Sequence, residues 1–95
     1  MMMEYPIGSY VIATAGHDSG KYYVIINVDQ EYVYLVDGRI RTLERPKKKK
    51  PIHIRLLSEF NPSLAEKVKN RTVKNEEIKR AIKLVKNEIS SKEVE

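Results

Sequence analysis

Cysteine and tryptophan are absent from the 95-residue sequence, and glycine and proline occur four times each. Without cysteine the chain has no disulfide framework and no thiolate metal site, which suits a reducing compartment. Apolar runs are short, well below the roughly 18 residues that a membrane-spanning helix needs. The first six residues lack the basic and apolar regions of a signal peptide. These absences predict a soluble cytoplasmic protein.

Sequence motifs for catalysis are also absent. The sequence has no Walker loop, no HExxH, no GxSxG and no nucleophilic cysteine. His17, Asp18 and His53 are the only material for a metal or acid–base site, and their spacing is not that of metal ligands. A chain of this length predicts one small domain. We therefore expect a protein that is not an enzyme, with no cofactor and no bound metal.

Positive charge is concentrated in the middle of the chain. Residues 1–38 hold one base and five acids, a net charge of −4, whereas residues 39–57 hold eight bases and one acid, a net charge of +7. Such a cluster predicts a phosphate-binding patch, and the alternative is a solvated, lysine-rich loop. The eight bases are Arg39, Arg41, Arg45, Lys47, Lys48, Lys49, Lys50 and Arg55.

A glycine-bounded loop lies between the first two apolar runs. Gly16 and Gly20 enclose it, and strands are predicted from about Tyr10 to Thr14 and from about Lys21 to Asp29. The second run is apolar almost throughout, which indicates a strand covered on both faces of a curled sheet. The loop amides, with Lys21, form a possible phosphate site, and the alternative is a tight turn that needs positive φ. His17 either stacks on a base or hydrogen-bonds a ribose, or it is simply an exposed loop residue.

Three further strands are predicted before residue 58. Tyr32–Val36 is followed by Asp37-Gly38, a dipeptide favoured in type I′ hairpins, and then by a strand over residues 39–43. This strand would place Arg39 and Arg41 on one face, although Leu43 breaks the alternation. The lysine run 47–50 is predicted to be a loop. A fifth strand over 52–56 would place His53 and Arg55 on one face and three aliphatic side chains on the other, which are Ile52, Ile54 and Leu56. Five short strands in about fifty residues indicate a small β-barrel.

The last third of the chain is predicted to be helical. Asn61 is a suitable N-cap for a short helix from Pro62 to about Asn70. A second helix begins near Asn75. Its apolar stripe consists of Ile78, Ile82, Val85 and Ile89, widened by Ala81 and Leu84. Its more exposed face carries Lys79, Lys83 and Lys86, and the tail from about Ser90 is expected to fray. We thus divide the chain into a β domain, residues 1–58, and a helical extension, residues 59–95.

Four tyrosines lie in the predicted second and third strands, and they allow two interpretations. Aromatic side chains on adjacent strands form cross-strand packing pairs, and they also form platforms on which bases stack. Packing is favoured here because the same runs supply most of the core. The four are Tyr22, Tyr23, Tyr32 and Tyr34.

Residues 8–24 carry a resemblance to a known motif. Gly8-x-x-Val11-Ile12-x-x-x-Ala15-Gly16-His17-Asp18-x-Gly20-Lys21-Tyr22-x-Val24 resembles the KOW motif of several ribosomal proteins and NusG-type transcription factors. The continuation is similar to the eukaryote-type large-subunit ribosomal protein fourteen-e family, with its six-e and twenty-seven-e relatives and short bacterial members. It is carried by Val36-Asp37-Gly38-Arg39-Ile40-Arg41, Pro46-Lys47-Lys48-Lys49, Ile52-His53-Ile54 and the helix from Asn75 to Ile82.

The resemblance implies an SH3-like barrel that binds ribosomal or other structured RNA. The expected protein is a monomer when free, with RNA and ribosomal proteins as partners and no membrane association. Contacts would be dominated by phosphates, with specificity from RNA shape. The expected RNA-binding residues are the eight central bases with His17, Lys21 and His53, and Gly16 and Gly20 shape the loop. The alternative is a protein-interaction module that uses the barrel and the amphipathic C-terminal helix.

Overall fold

A computed structural model describes residues 5–93 of the chain. Residues 1–4 and 94–95 lie outside this range, and with them most of the segment that we compared with a signal peptide. The last helix continues to Glu93, past Ser90, where we expected fraying. Of the expected frayed tail, the final two residues are therefore outside the described part.

A five-stranded antiparallel sheet forms the first part of the molecule. The strands are β1 (Tyr10–Ala13), β2 (Tyr22–Val28), β3 (Val33–Val36), β4 (Lys47–Lys49) and β5 (Ile54–Leu56). Their order across the sheet is β4-β3-β2-β1-β5. The predicted mixture of a small β domain with C-terminal helices is confirmed. Within residues 5–93, however, the edge strands β4 and β5 do not pair with each other, so the sheet does not close into a barrel.

The predicted hairpin between β1 and β2 is present. Tyr10 lies opposite Val24, and Ile12 lies opposite Tyr22. The connecting loop contains a short 3-10 turn over Gly16–Asp18. Gly16 has φ +75° and Gly20 has φ +87°, a conformation in which a Cβ atom would be strained. The loop therefore needs glycine at both positions, as the sequence indicated.

Strand β2 is covered on both faces, as predicted. One face contributes to a sheet core, whose buried members are Val11, Ala13, Tyr23, Ile25, Val33 and Leu35. These residues all come from strands, and the partly buried side chains around them come from strands or from the segment before β1. Because strand residues bury one another here, the sheet must curve around this core.

The other face of the sheet packs against the two C-terminal helices. This helix-side core consists of Tyr10, Val24, Val36, Leu64, Val68, Val73, Ile78, Ala81, Ile82 and Val85. Strand residues and helix residues thus share one apolar cluster, across the boundary that we drew at residue 58. Gly8 lies so close to α1 (Pro62–Lys69) that a Cβ atom there would be 2.5 Å from the Cα of Ala65.

The predicted fourth strand is wrong. Residues 39–43 form turns, and the lysine run expected to be a loop provides β4, with Lys47 opposite Leu35 and Lys49 opposite Val33. No type I′ turn forms, because Gly38 takes a positive φ of 80° and Asp37 does not. Hydrogen bonds between Asp37 and the backbone of Arg41 instead reverse the direction of the chain. Leu43, which broke the expected alternation, packs on the helix-side core.

The fifth strand is shorter than predicted, and the three aliphatic side chains within residues 52–56 do not form one buried face. Pro51–His53 forms a 3-10 turn, so β5 begins only at Ile54. Ile52 is 79% exposed and Leu56 is 39% exposed. Ile54 alone of the three aliphatic residues packs on the sheet core, where it lies opposite Ala13.

Both predicted helices are present. The Asn61 side chain accepts a hydrogen bond of 3.1 Å from the Leu64 amide, which confirms it as the N-cap of α1. Helix α2 spans Asn75–Glu93, and its apolar stripe packs on the sheet. Leu84, which we expected to widen the stripe, is 61% exposed. In the part of the chain that the structure describes, no helix combines the length and hydropathy needed to cross a membrane.

Candidate functional site

A cleft of about 850 Å³ lies between one face of helix α2 and the loops beside the sheet. One wall is α2, and the other is built by the β1–β2 loop, the start of β2 and the turn segment 37–41 after β3. Cationic side chains from α2, the β1–β2 loop and the turn segment converge on the cleft, although they are up to 65 residues apart in sequence. The cations are Lys21, Arg39, Arg41, Lys79, Arg80, Lys83 and Lys86.

The helical wall follows from the amphipathic pattern of α2. Ile78, Ile82 and Val85 are buried, which fixes the rotation of the helix about its axis. Lys79, Lys83 and Lys86 lie one position further around the helix, so they border the cleft instead of the core. The sequence placed these lysines on an exposed face but gave them no function, because nothing local showed which surface they would oppose.

The opposite wall is held by Asp37. Its carboxylate Oδ1 accepts hydrogen bonds from the backbone amides of Arg39 and Arg41, at 2.8 and 2.9 Å. The Arg41 carbonyl in turn accepts from the amides of Asp37 and Gly38. These bonds close a compact turn that presents two guanidinium groups to the cleft.

The position of this turn depends on Gly38. A Cβ atom there would lie 2.9 Å from the backbone nitrogen of Lys79 and closer still to the carbonyl oxygen of Asn75. The turn therefore rests directly on the first turn of α2. On the same side, the Leu43 amide donates to the Asn75 Oδ1 atom at 2.8 Å, which ties the segment after the turn to the helix.

Asp18 also borders the cleft, but its charge is directed to lysines of β4. The carboxylate forms an ion pair with Lys47, and it lies 3.6 Å from the Lys49 Nζ and 3.8 Å from the Lys21 Nζ. The hydrogen bond from Lys47 holds the pKa of Asp18 below its usual value, and the charges of all three lysines add to this effect. Asp18 is thus a neutralised acid at a cationic site, and it connects edge strand β4 to the β1–β2 loop.

Tyr23 extends this cluster into the sheet core. Burial raises the pKa of its hydroxyl to about 12, and the neighbouring Asp18 carboxylate, to which the hydroxyl is hydrogen-bonded, acts in the same direction. The side chain is 2% exposed. Of the two interpretations of the tyrosines, packing therefore describes Tyr23, which has no surface available for stacking.

The four consecutive lysines differ in exposure, because successive side chains along an extended chain point to opposite faces. Lys47 and Lys49 lie opposite residues of the sheet core, and their side chains are only 22% and 11% exposed. Lys49 also donates to the Ala15 carbonyl at 3.2 Å. Lys48 and Lys50 are exposed, and the Lys48 Nζ lies 4.5 Å from the centre of the Tyr32 ring. Two of the four lysines therefore serve the fold.

The remaining predicted residues lie on other parts of the surface and do not line the cleft. His17 and Arg45 are exposed, and His53 is half-buried, with its carbonyl accepting from the Thr14 amide at 2.9 Å. Arg55 is exposed on β5 and lies opposite Ile12, in a shallower cleft of about 500 Å³ that also includes Tyr22. Because Tyr22 borders both clefts, Arg55 is placed beside the cationic cleft instead of within it.

The glycine-bounded loop uses several of its amides internally. The amides of Ser19, Gly20 and Lys21 donate to the carbonyls of Gly16, Ala13 and Asp18, at 2.8 to 3.2 Å. This geometry favours the tight-turn interpretation over an amide cradle for phosphate. Within residues 5–93 no three His, Cys, Asp or Glu side chains are grouped closely enough to hold a metal ion.

Comparison with known proteins adds no family to this description. No protein-family model matches the chain, and no curated protein matches it either.

Proposed function

We propose that this protein binds structured RNA through the cleft between α2 and the 37–41 turn. The observation that carries the proposal is the convergence of seven cationic side chains on one concave surface. Two of the three acidic side chains that line the cleft already have partners. Asp18 forms ion pairs with lysines, and Asp37 accepts hydrogen bonds from backbone amides. Such a surface attracts phosphates through Coulomb forces and counterion release.

We also propose that the chain is a KOW-type protein whose sheet is an open variant of the SH3-like barrel. The resemblance of residues 8–24 to the KOW motif supports this, together with five antiparallel strands curved around one core. The biological setting that we propose is the ribosome or its assembly in the cytoplasm, with rRNA as the partner. The role is non-catalytic: the fold holds the charges in place, and phosphate contacts supply the affinity.

The alternative of a protein-interaction module relied on a barrel surface and on the apolar stripe of α2. Ile78, Ile82 and Val85 of that stripe are buried against the sheet, and Ile89 packs on the same cluster. The stripe therefore already has an intramolecular partner. The part of the helix that lines the cleft carries four cationic side chains and one acidic side chain, which favours a polyanion over an apolar peptide.

The experiment that tests the proposal is RNA binding as a function of salt concentration. Fluorescence anisotropy with an rRNA-derived hairpin should give a slope of log affinity against log salt of roughly −0.7 to −0.9 per contacted phosphate. We expect the double variant Lys79→Gln/Lys83→Gln to reduce the magnitude of that slope by about 2. Lys48→Gln/Lys50→Gln removes the same charge from the exposed lysines of the central run.

The comparison of the two double variants identifies the surface. If the cleft binds RNA, the α2 variant weakens binding much more than the variant of the central run. Equal losses in both would show that net charge is sufficient and that the cleft is not the site. Binding with no salt dependence in the unmodified protein would contradict the phosphate-dominated mechanism.

A further inference from the structure

We infer that the cleft receives an unpaired segment of RNA and not a duplex, an inference that rests on the proposed function. In this arrangement, phosphates follow the lysines of α2, and at least one base contacts the apolar surface formed by Tyr22 and Ile40. The length of the cationic row, the rigidity of the opposite wall and the exposed apolar groups each support this assignment.

The row of lysines on α2 matches the length of a short strand. Lys79, Lys83 and Lys86 are separated by four and three residues, so they share one face and span about 10 Å of helix at 1.5 Å per residue. A nucleic-acid strand advances about 3.4 Å per phosphate when stacked. The row therefore corresponds to about three nucleotides.

The opposite wall is preorganised. The two amide bonds to Asp37 fix the turn that carries Arg39 and Arg41, and the close approach of Gly38 to Lys79 fixes its distance from α2. Little backbone ordering remains to be done when a ligand enters, so less affinity is lost to entropy. A wall of this kind suits a ligand that fits between two surfaces.

Apolar groups stand among the cations of the cleft. Ile40 is 75% exposed, although it lies between Arg39 and Arg41. Tyr22 is half-buried on the floor of the cleft, and the Lys86 Nζ lies 5.3 Å from its ring centre. A base whose face is exposed can pack on such groups, whereas a duplex hides the faces of its bases in the stack.

The dimensions of the protein point the same way. The molecule measures 41 × 29 × 26 Å, and the cleft has a volume of about 850 Å³. An open cleft in this size range accommodates a ligand of small-molecule dimensions, such as the short stretch of about three nucleotides that the lysine row spans. A double helix cannot enter it and would contact only its rims.

The test compares three RNA probes with equal numbers of phosphates. They are a hairpin with an unpaired loop, a blunt duplex without unpaired bases, and an unstructured single strand, each titrated by fluorescence anisotropy at about 0.1 M salt. We expect the loop and the single strand to bind about tenfold more tightly than the duplex, in line with one base stacked on the protein.

A matched pair of variants examines the apolar contact. Ile40→Ala should reduce the preference for unpaired RNA, and because Ile40 is exposed the variant should fold normally. Ile52→Ala removes an equally exposed isoleucine, 79% exposed, that does not line the cleft, and it should leave the preference unchanged.

The outcomes separate this inference from the proposed function. A clear preference for unpaired RNA that Ile40→Ala reduces would support the inference. Equal binding of all three probes would overturn it and leave RNA binding intact. Failure of all three probes to bind would overturn the proposed function itself.

Discussion

Asp18 stabilises the packing of edge strand β4 against the rest of the sheet. Its carboxylate pairs with Lys47 and Lys49 of β4, and Tyr23 in the sheet core is hydrogen-bonded to the same carboxylate. All of these side chains are largely buried, at 22% exposure or less. Removing the carboxylate would leave two lysines without their partner in a region with little water, which is costly.

We expect Asp18→Asn to lower the free energy of unfolding by about 2 kcal/mol at pH 7. Urea denaturation measures this loss. Lys67→Gln is the matched control, because it removes the more exposed ion pair with Glu77, whose attraction is largely screened by solvent. Equal losses in the two variants would contradict the role of Asp18.

The same carboxylate predicts a pH dependence. Ion pairing lowers the pKa of Asp18 in the folded state, so its contribution to stability is complete above the unfolded value of 3.8 and disappears as the pH falls through the lower, folded value. Between pH 5 and the acid limit, the unmodified protein should therefore lose more stability than Asp18→Asn.

At the scale of elements, the 37–41 turn and α2 form one unit. Gly38 has both a positive φ and a backbone neighbour at the position of a Cβ, whereas Gly20 has a positive φ with open space around it. A comparison of substitutions at these two glycines therefore distinguishes the effect of backbone strain from the effect of packing on the helix.

We expect Gly38→Ala to destabilise the protein by clearly more than Gly20→Ala, which should cost about 1 kcal/mol from strain alone. Thermal unfolding followed by circular dichroism provides the measurement. If the turn shapes the cleft, Gly38→Ala also weakens RNA binding when folded. Similar melting temperatures for the two variants would mean that the turn does not rest on α2.

Elements defined by local patterns were predicted well. The capping residue Asn61 and the spacing of Ile78, Ile82 and Val85 depend on neighbours within a few residues, and both helices begin where the sequence indicated. The glycine-bounded hairpin was predicted for the same reason, because positive φ is a local requirement.

Elements defined by distant partners were not predicted. A run of lysines is a poor strand by propensity, yet Lys47–Lys49 pairs with β3 because Asp18, some thirty residues earlier, compensates the two inward-facing charges. For the site, the sequence identified Lys21, Arg39 and Arg41 but assigned no role to the lysines of α2. These lysines border the cleft only because the helix docks on the sheet.

The whole molecule is held by two cores that share strand β2. Tyr23 and Ile25 belong to the sheet core, and Val24 between them belongs to the helix-side core. The helices therefore cover a face of the sheet that would otherwise expose Tyr10, Val24 and Val36. Residues 59–93 are part of the fold and not an appendage to it.

We expect a chain that ends at Ser58 to lose the sharp unfolding transition of the full protein and to bind a hydrophobic dye, because a large apolar face is uncovered. Urea denaturation with dye fluorescence measures both effects. A chain that ends at Ser91 retains Ile89 and should behave as the full protein does. A cooperative transition with an unchanged midpoint in the shorter chain would show that the sheet folds independently.

The alternation within β4 has a consequence for how the sequence can vary over evolutionary time. Positions 18, 47 and 49 share one electrostatic constraint, so a change of Asp18 to a neutral residue is tolerated only with compensating changes at the two lysines. Lys48 and Lys50 are not bound by it. Among homologues, positions 47 and 49 of the lysine run should therefore covary with position 18 of the glycine-bounded loop. Positions 48 and 50 should vary independently of it.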